Sequence, residues 1–130
     1  MRFVLDTHVL VWFALGSRKL SKEQAALLRR CEKTREPIGL AAITAFELAQ
    51  LAAAGRLTLD AGVLFDRIEE VGLFEWLPLT PAVAIEATRL GPSFHRDPAD
   101  QLIAATARVH RLKLMTADER IIGSRAVEVV

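Results

Sequence analysis

Four carboxylates of this 130-residue chain stand where an apolar stretch gives way to a turn or to the first turn of a helix: Asp6, Glu47, Asp100 and Asp118. Asp6 ends the run Phe3-Val4-Leu5, and Asp118 follows Leu114-Met115-Thr116. Carboxylates brought together repel one another unless protons or cations neutralise them. Hard oxygen donors suit Mg²⁺ or Mn²⁺, which keep several waters and also bind phosphate oxygens. One or two such ions can activate a water and stabilise the leaving oxygen of an in-line displacement, which is phosphodiester chemistry. Each acid also has a structural reading. Glu47 fits the far end of a capping box opened by Thr44. Asp97, before Pro98, fits an N-cap, and for it capping ranks ahead of metal binding. Asp100 would then be the third helical residue, where the helix dipole favours it. A cap does not require a second acid so soon, so Asp100 is the better ligand candidate. Asp118 fits an ordinary turn. Asp6 has the least structural reason to be where it is.

The elements that must position these acids follow from apolar patterning. Residues 2–6 read as a strand buried on both faces, as in a parallel sheet. An Asp at its carboxyl end points into the crevice where open α/β sheets bind ligands. A short helix runs from His8 to Leu15 and ends at Gly16. Ser21-Lys22-Glu23-Gln24 is a capping-box pattern opening a helix to about Lys33. Ile38–Ala41 is a second apolar strand, and Thr44 opens a helix that runs to Ala54 and stops at Gly55. Asp60 caps a helix through Val71, closed by Gly72. Phe74–Leu79 is a weaker strand. Thr80-Pro81 starts a helix ending near Leu90-Gly91-Pro92. A polar approach, His95 to Asp100, leads into an apolar helix from Leu102 to about His110. Lys113–Thr116 is a strand, a short helix follows Asp118, and Val127–Val130 is a last strand. Strands alternating with helices predict α/β layering on a largely parallel sheet, with right-handed crossovers. With no repeat, linker or low-complexity tract, residues 1–130 read as one domain.

Composition narrows the setting. Hydrophobic residues make up 52% of the chain, which suits doubly covered strands or an apolar surface for a partner. The formal net charge of +1 gives no global basic field. A single cysteine, Cys31, excludes an internal disulfide framework and a cysteine-based zinc site, and it fits a reducing cytoplasm. No leader pattern is visible, and the apolar runs are far short of a membrane span.

The motifs, in order and spacing, resemble PIN-domain nucleases and, among them, VapC-type toxins of bacterial toxin–antitoxin pairs. The stretches that carry the resemblance are FVLDTHVLVW at 3–12, ITAFELAQL at 43–51, HRDPADQLIAATA at 95–107 and LMTADERI at 114–121. Residues 55–92 carry little of it. The resemblance implies a three-layer α/β/α sandwich. It implies that Asp6, Glu47, Asp100 and Asp118 bind Mg²⁺ or Mn²⁺, with Asp97 as a second-tier acid and Thr7 and Thr116 as accompanying hydroxyls. It also implies hydrolysis of RNA to a 3′-hydroxyl and a 5′-phosphate, a homodimer, and an antitoxin segment that covers the active-site groove.

Substrate must be held by cations. Arg18, Lys19 and Lys22 begin a basic stretch that continues through Arg29, Arg30, Lys33 and Arg35, a candidate track for a phosphate backbone or a solvated helix face. Arg108, Arg111 and Lys113 form a weaker second patch, and Arg96 is a further candidate contact. His8, His95 and His110 read as structural or solvent-exposed. Trp12, Phe13, Phe46, Leu48 and Leu51 read as core more than interface. Three other functions compete. A haloacid-dehalogenase-like phosphatase also opens on a strand ending Asp-Thr, but it places a second Asp where this chain has His8. A non-catalytic RNA- or protein-binding module would carry an incomplete acidic set. A housekeeping RNA-processing nuclease would keep the chemistry, and an inhibitory cognate protein would separate it from a toxin.

Overall fold

The computed structural model describes residues 1–130. It runs β1 (Phe3–Leu5), α1 (Thr7–Leu15), α2 (Lys22–Thr34), β2 (Ile38–Ala41), α3 (Ala42–Ala53), α4 (Ala61–Val71), β3 (Phe74–Leu77), α5 (Pro81–Ala87), α6 (Pro98–His110), β4 (Lys113–Met115) and α7 (Glu119–Ser124). The four strands form one parallel sheet in the order β3-β2-β1-β4. Successive side chains of a strand point to opposite faces. Phe3, Leu5, Ile38, Leu40 and Met115 therefore enter one apolar cluster, completed by Val9 and Leu10 of α1, Leu28 and Cys31 of α2, Leu48 of α3 and Ile68 of α4. Val4, Ala41, Leu77 and Leu114 enter a second cluster with Ile103, Ala104 and Ala107 of α6 and Ile121 of α7. The result is the expected three-layer α/β/α sandwich, with α5 packed on α6 in the second outer layer.

This topology decides where a site can lie. The chain goes from β1 to β2 on one side of the sheet and later returns to β4 on the other side of β1. In open α/β sheets ligands bind outside the carboxyl ends of the strands, where strand order reverses. Here that place lies between Asp6, after β1, and Asp118, after β4.

Several boundaries differ from the sequence reading, each for a local reason. α3 starts at Ala42, directly from the end of β2, with Ala41 at the N-cap and no side-chain cap. Thr44 is therefore inside the helix and fully buried, and no Thr44–Glu47 capping box exists. α6 begins at Pro98, four residues before Leu102, because Asp97 caps it. α5 stops at Ala87, and the Thr88 hydroxyl donates to the Ile85 carbonyl at 2.7 Å. β3 ends before Pro78, which has no N–H for the ladder. Val127–Val130 makes only a parallel bridge between Val129 and Leu114, since β4 itself is three residues long. Phe46 is 59% exposed and not a core residue, whereas Leu48 is buried and Trp12, Phe13 and Leu51 are half-buried.

Candidate metal centre

Asp6 is the residue at which β1 becomes α1. It stands at the N-cap of α1, yet its side chain caps nothing. Instead Thr116 Oγ1 donates to Asp6 Oδ2 at 2.8 Å, and the same hydroxyl accepts from the Asp118 backbone N–H at 3.0 Å. Thr116 thus ties together the acids that follow two adjacent strands. Thr7, the first residue of α1, donates to Glu47 Oε1 at 2.6 Å, and its Oγ1 lies 3.1 Å from Thr44 Oγ1. Both hydroxyls orient carboxylates.

Asp6, Glu47, Asp97, Asp100 and Asp118 line one cleft of about 270 Å³, together with His8, Trp12 and Arg120. The acids come from four distant parts of the chain and from both layers of helices. Asp97 Oδ1 accepts from the Ala99 and Asp100 backbone N–H groups at 3.0 and 3.5 Å, so it caps α6 while facing the cleft. Asp118 caps α7 through the Arg120 N–H at 2.8 Å. Glu47 caps no helix, which removes its structural explanation.

Burial raises the pKa of Asp6 above the ordinary carboxylate value. The Thr116 hydrogen bond opposes this, and Asp100 reinforces it. Burial likewise raises Glu47, against the Thr7 hydrogen bond and with repulsion from Asp100 and Asp6. Asp100 is raised by burial against the His95 hydrogen bond. Asp118 goes the other way, lowered chiefly by its hydrogen bond with Arg120. Three acids are thus held in a cleft that disfavours their charge.

His95 is neither remote nor free. Its Nε2 lies 2.6 Å from Asp100 Oδ2, and its ring stacks on Phe94 at 4.8 Å between centroids. Its Nδ1 is buried without a partner, which favours the tautomer with the proton on Nε2. A histidine that ligates a metal usually donates its other ring N–H to a carboxylate or carbonyl. Without that second partner, His95 is placed to orient Asp100 rather than to ligate. One carboxylate oxygen from each of Asp100 and Asp118 lies within 4.8 Å of the other, a spacing that a single cation can bridge.

Of the cations expected to meet a substrate, Arg18, Lys19, Lys22 and Arg96 are exposed, and none lines the cleft. Arg108 is bound to Glu86 at 2.7 Å and Lys113 to Glu128 at 3.1 Å, so the second basic patch is largely neutralised. His8 is exposed beside the half-buried Trp12, and His110 is exposed away from the cleft. Sequence reasoning missed Arg120, although an Arg two residues after a helix-capping Asp was a visible signal. It also missed Gln24. The Gln24 backbone N–H bonds the Ser21 hydroxyl at 3.1 Å, as the capping pattern predicts. Its side chain, however, donates to the Thr116 and Val130 carbonyls, each at 2.9 Å. No sequence signal reports a contact across that separation.

Known proteins resemble this chain in sequence and in fold. The family model described as PIN domain matches residues 3–124. The chain is 35% identical over 122 residues to Ribonuclease VapC22 of Mycobacterium tuberculosis, covering 94% of this chain and 91% of that protein. Among solved structures, VapBC2 from Rickettsia felis bound to a DNA fragment from its promoter superposes with a TM-score of 0.73 at 15% identity, covering 100% of this chain and 98% of that one. FitAcB from Neisseria gonorrhoeae superposes with a TM-score of 0.67 at 28% identity, covering 98% and 95%.

Proposed function

This chain belongs to the PIN domain family, and on that premise we propose that it is a metal-dependent endoribonuclease, the toxin of a toxin–antitoxin pair, acting as one domain over residues 1–130. The observation that carries this reading is the convergence of Asp6, Glu47, Asp100 and Asp118 on one cleft at the carboxyl edge of a parallel sheet. The donor set fits a hard divalent cation, Mg²⁺ or Mn²⁺: all four groups offer oxygen, and the charge of three of them, the buried Asp6 and Asp100 and the half-buried Glu47, is disfavoured by the fold alone. Asp6 Oδ2 is held by Thr116, Glu47 Oε1 by Thr7 and Asp100 Oδ2 by His95. In each case one oxygen is fixed by a donor, and the other has no side-chain donor and remains for a ligand. Asp97 is a second-tier acid that steadies the first turn of α6.

A divalent cation held there supplies activation of a water and neutralisation of the scissile phosphate. The residues of the chain do the rest. The carboxylates would hold the cation that meets the phosphate, the two threonines and His95 fix the carboxylates, and products leave with a 3′-hydroxyl and a 5′-phosphate. The partners of this reading are RNA, a cognate antitoxin and a second copy of the chain. No helix is long and apolar enough to cross a membrane, and the proposed compartment is the cytoplasm.

The test is cleavage of total cellular RNA and of individual structured RNAs by purified protein with Mg²⁺ or Mn²⁺, with EDTA, and with Asp6→Asn. Cutting that needs metal and falls at least about a hundredfold in Asp6→Asn is the expected result. Well-folded, metal-loaded protein that cuts nothing in the panel would overturn it. A small protein encoded beside this chain should bind it and block cutting; absence of such an inhibitor would point to RNA processing instead.

A further inference from the structure

Arg120 is the one guanidinium or ammonium group lining the acidic cleft, and it engages one acid completely. Asp118 Oδ1 accepts from Arg120 N at 2.8 Å and from Arg120 Nε at 3.3 Å, and Asp118 Oδ2 accepts from Nη2 at 2.9 Å. The same Nη2 lies 3.8 Å from Asp100 Oδ2. The other three acids each keep an oxygen without a side-chain donor, whereas both oxygens of Asp118 are taken by a single residue. The side chain that takes them is 64% exposed, so it is held at the rim by charge and not by packing. The backbone beneath it is fixed independently: Ile121, the next residue, is fully buried in the second core, and Asp118 Oδ1 still caps α7 if the guanidinium leaves.

A guanidinium between two carboxylates lowers their repulsion, which is also what a divalent cation would do in the same place. The two positive charges cannot comfortably share Asp118 and Asp100. A phosphodiester arriving at the rim offers two oxygens that the Arg fork fits as it fits a carboxylate. We propose that Arg120 is an internal counter-ion that holds Asp118 and Asp100 until a divalent cation displaces it, and then passes its fork to the phosphodiester group of the substrate. This rests on the metal-dependent nuclease reading above.

The proposal makes one substitution act in opposite directions on two ligands. Arg120→Ala should bind Mn²⁺ about two- to fivefold more tightly than the otherwise unaltered protein, the range expected for losing an exposed ion pair that competes. Free Mn²⁺ measured by electron paramagnetic resonance reads this without RNA or turnover. In a Glu47→Gln background, where nothing is cut, Arg120→Ala should bind a fluorescent random-sequence single-stranded RNA about tenfold more weakly. The slope of log affinity against log salt should fall by about 0.7, one phosphate contact. Arg120→Lys keeps the charge and loses the fork, so it should retain the slope while losing part of the affinity. If Arg120→Ala weakens Mn²⁺ binding, Arg120 only steadies Asp118 and α7, and the proposal fails. If neither ligand responds, Arg120 is a bystander, and the proposal fails while the nuclease reading stands. If the unaltered protein binds no Mn²⁺ and the Glu47→Gln protein binds no RNA, the nuclease reading falls and takes this inference with it.

Discussion

Asp6 is 4% exposed, and its carboxyl is bonded to Thr116 and close enough to Asp100 for the two charges to repel. Burial, ahead of that repulsion, raises its pKa, and Glu47 and Asp100 are raised for the same first reason. A carboxyl with a raised folded-state pKa contributes stability that is fully present below the unfolded value, near 3.8 for Asp, and is lost as pH rises through the folded value. At neutral pH the ionised acids therefore work against the metal-free fold. Asp6→Asn removes the charge and keeps an oxygen to accept from Thr116. In EDTA at pH 7 the variant should be more stable than the parent by about 0.5–2 kcal/mol, roughly 2–7 °C in Tm for a chain of this length. The gap should close as the pH falls towards 4, and RNA cleavage should be lost throughout. Thermal unfolding across that pH range checks it. A gap that does not change with pH would mean that protein donors already compensate the Asp6 charge.

Among the elements, those announced by local chemistry were legible. Ser21 before α2, Asp60 before α4, Thr80-Pro81 before α5 and Asp97-Pro98 before α6 all cap as their residue types predict. The start of α3 was misread because its true cap position is Ala41, with no polar side chain at all. That helix is set by packing: Ile43 lies against one core and Leu48 in the other. Asp6, Asp100 and Asp118 were legible for the same reason as the caps, since each interrupts an apolar pattern at an element boundary, whereas Glu47 lies inside α3 and was placed at a helix start only by the misread cap. Gln24 was not, because its partners, the Thr116 and Val130 carbonyls, are reached only after folding; Arg120 was signalled by Asp118 two residues before it, but its place beside Asp100 was not. The difference can be measured on one helix. Ser21→Ala removes only a cap, costs about 1 kcal/mol, and should leave Mn²⁺ affinity unchanged. Gln24→Leu leaves the carbonyls of Thr116 and Val130 without their buried donor and should cost about 1–3 kcal/mol in urea unfolding. It should also weaken Mn²⁺ binding severalfold, since Thr116 is the residue that holds Asp6 and the Asp118 N–H. Equal effects of the two substitutions on Mn²⁺ would mean that α2 supports the site only through general stability.

Across the molecule, four short parallel strands carry two apolar clusters, and the acids are gathered at one edge of the shared sheet. Residues 6, 47, 100 and 118 belong to segments that nothing local brings together. A cation bound by all of them would bind only the folded chain, so it must raise stability by mass action. Each tenfold excess of free metal over its dissociation constant adds about 1.4 kcal/mol, and a domain of this length should gain about 5 °C in Tm per tenfold. The same titration on Asp6→Asn should show a shallower or flat response, although that variant starts from a higher Tm without metal. The two melting curves should therefore approach one another, and cross, as Mg²⁺ or Mn²⁺ rises. Crossing requires that the charge which destabilises the empty cleft is the charge that binds the cation. Parallel curves would place the bound metal elsewhere on the surface and separate the burial of Asp6 from any role in holding it.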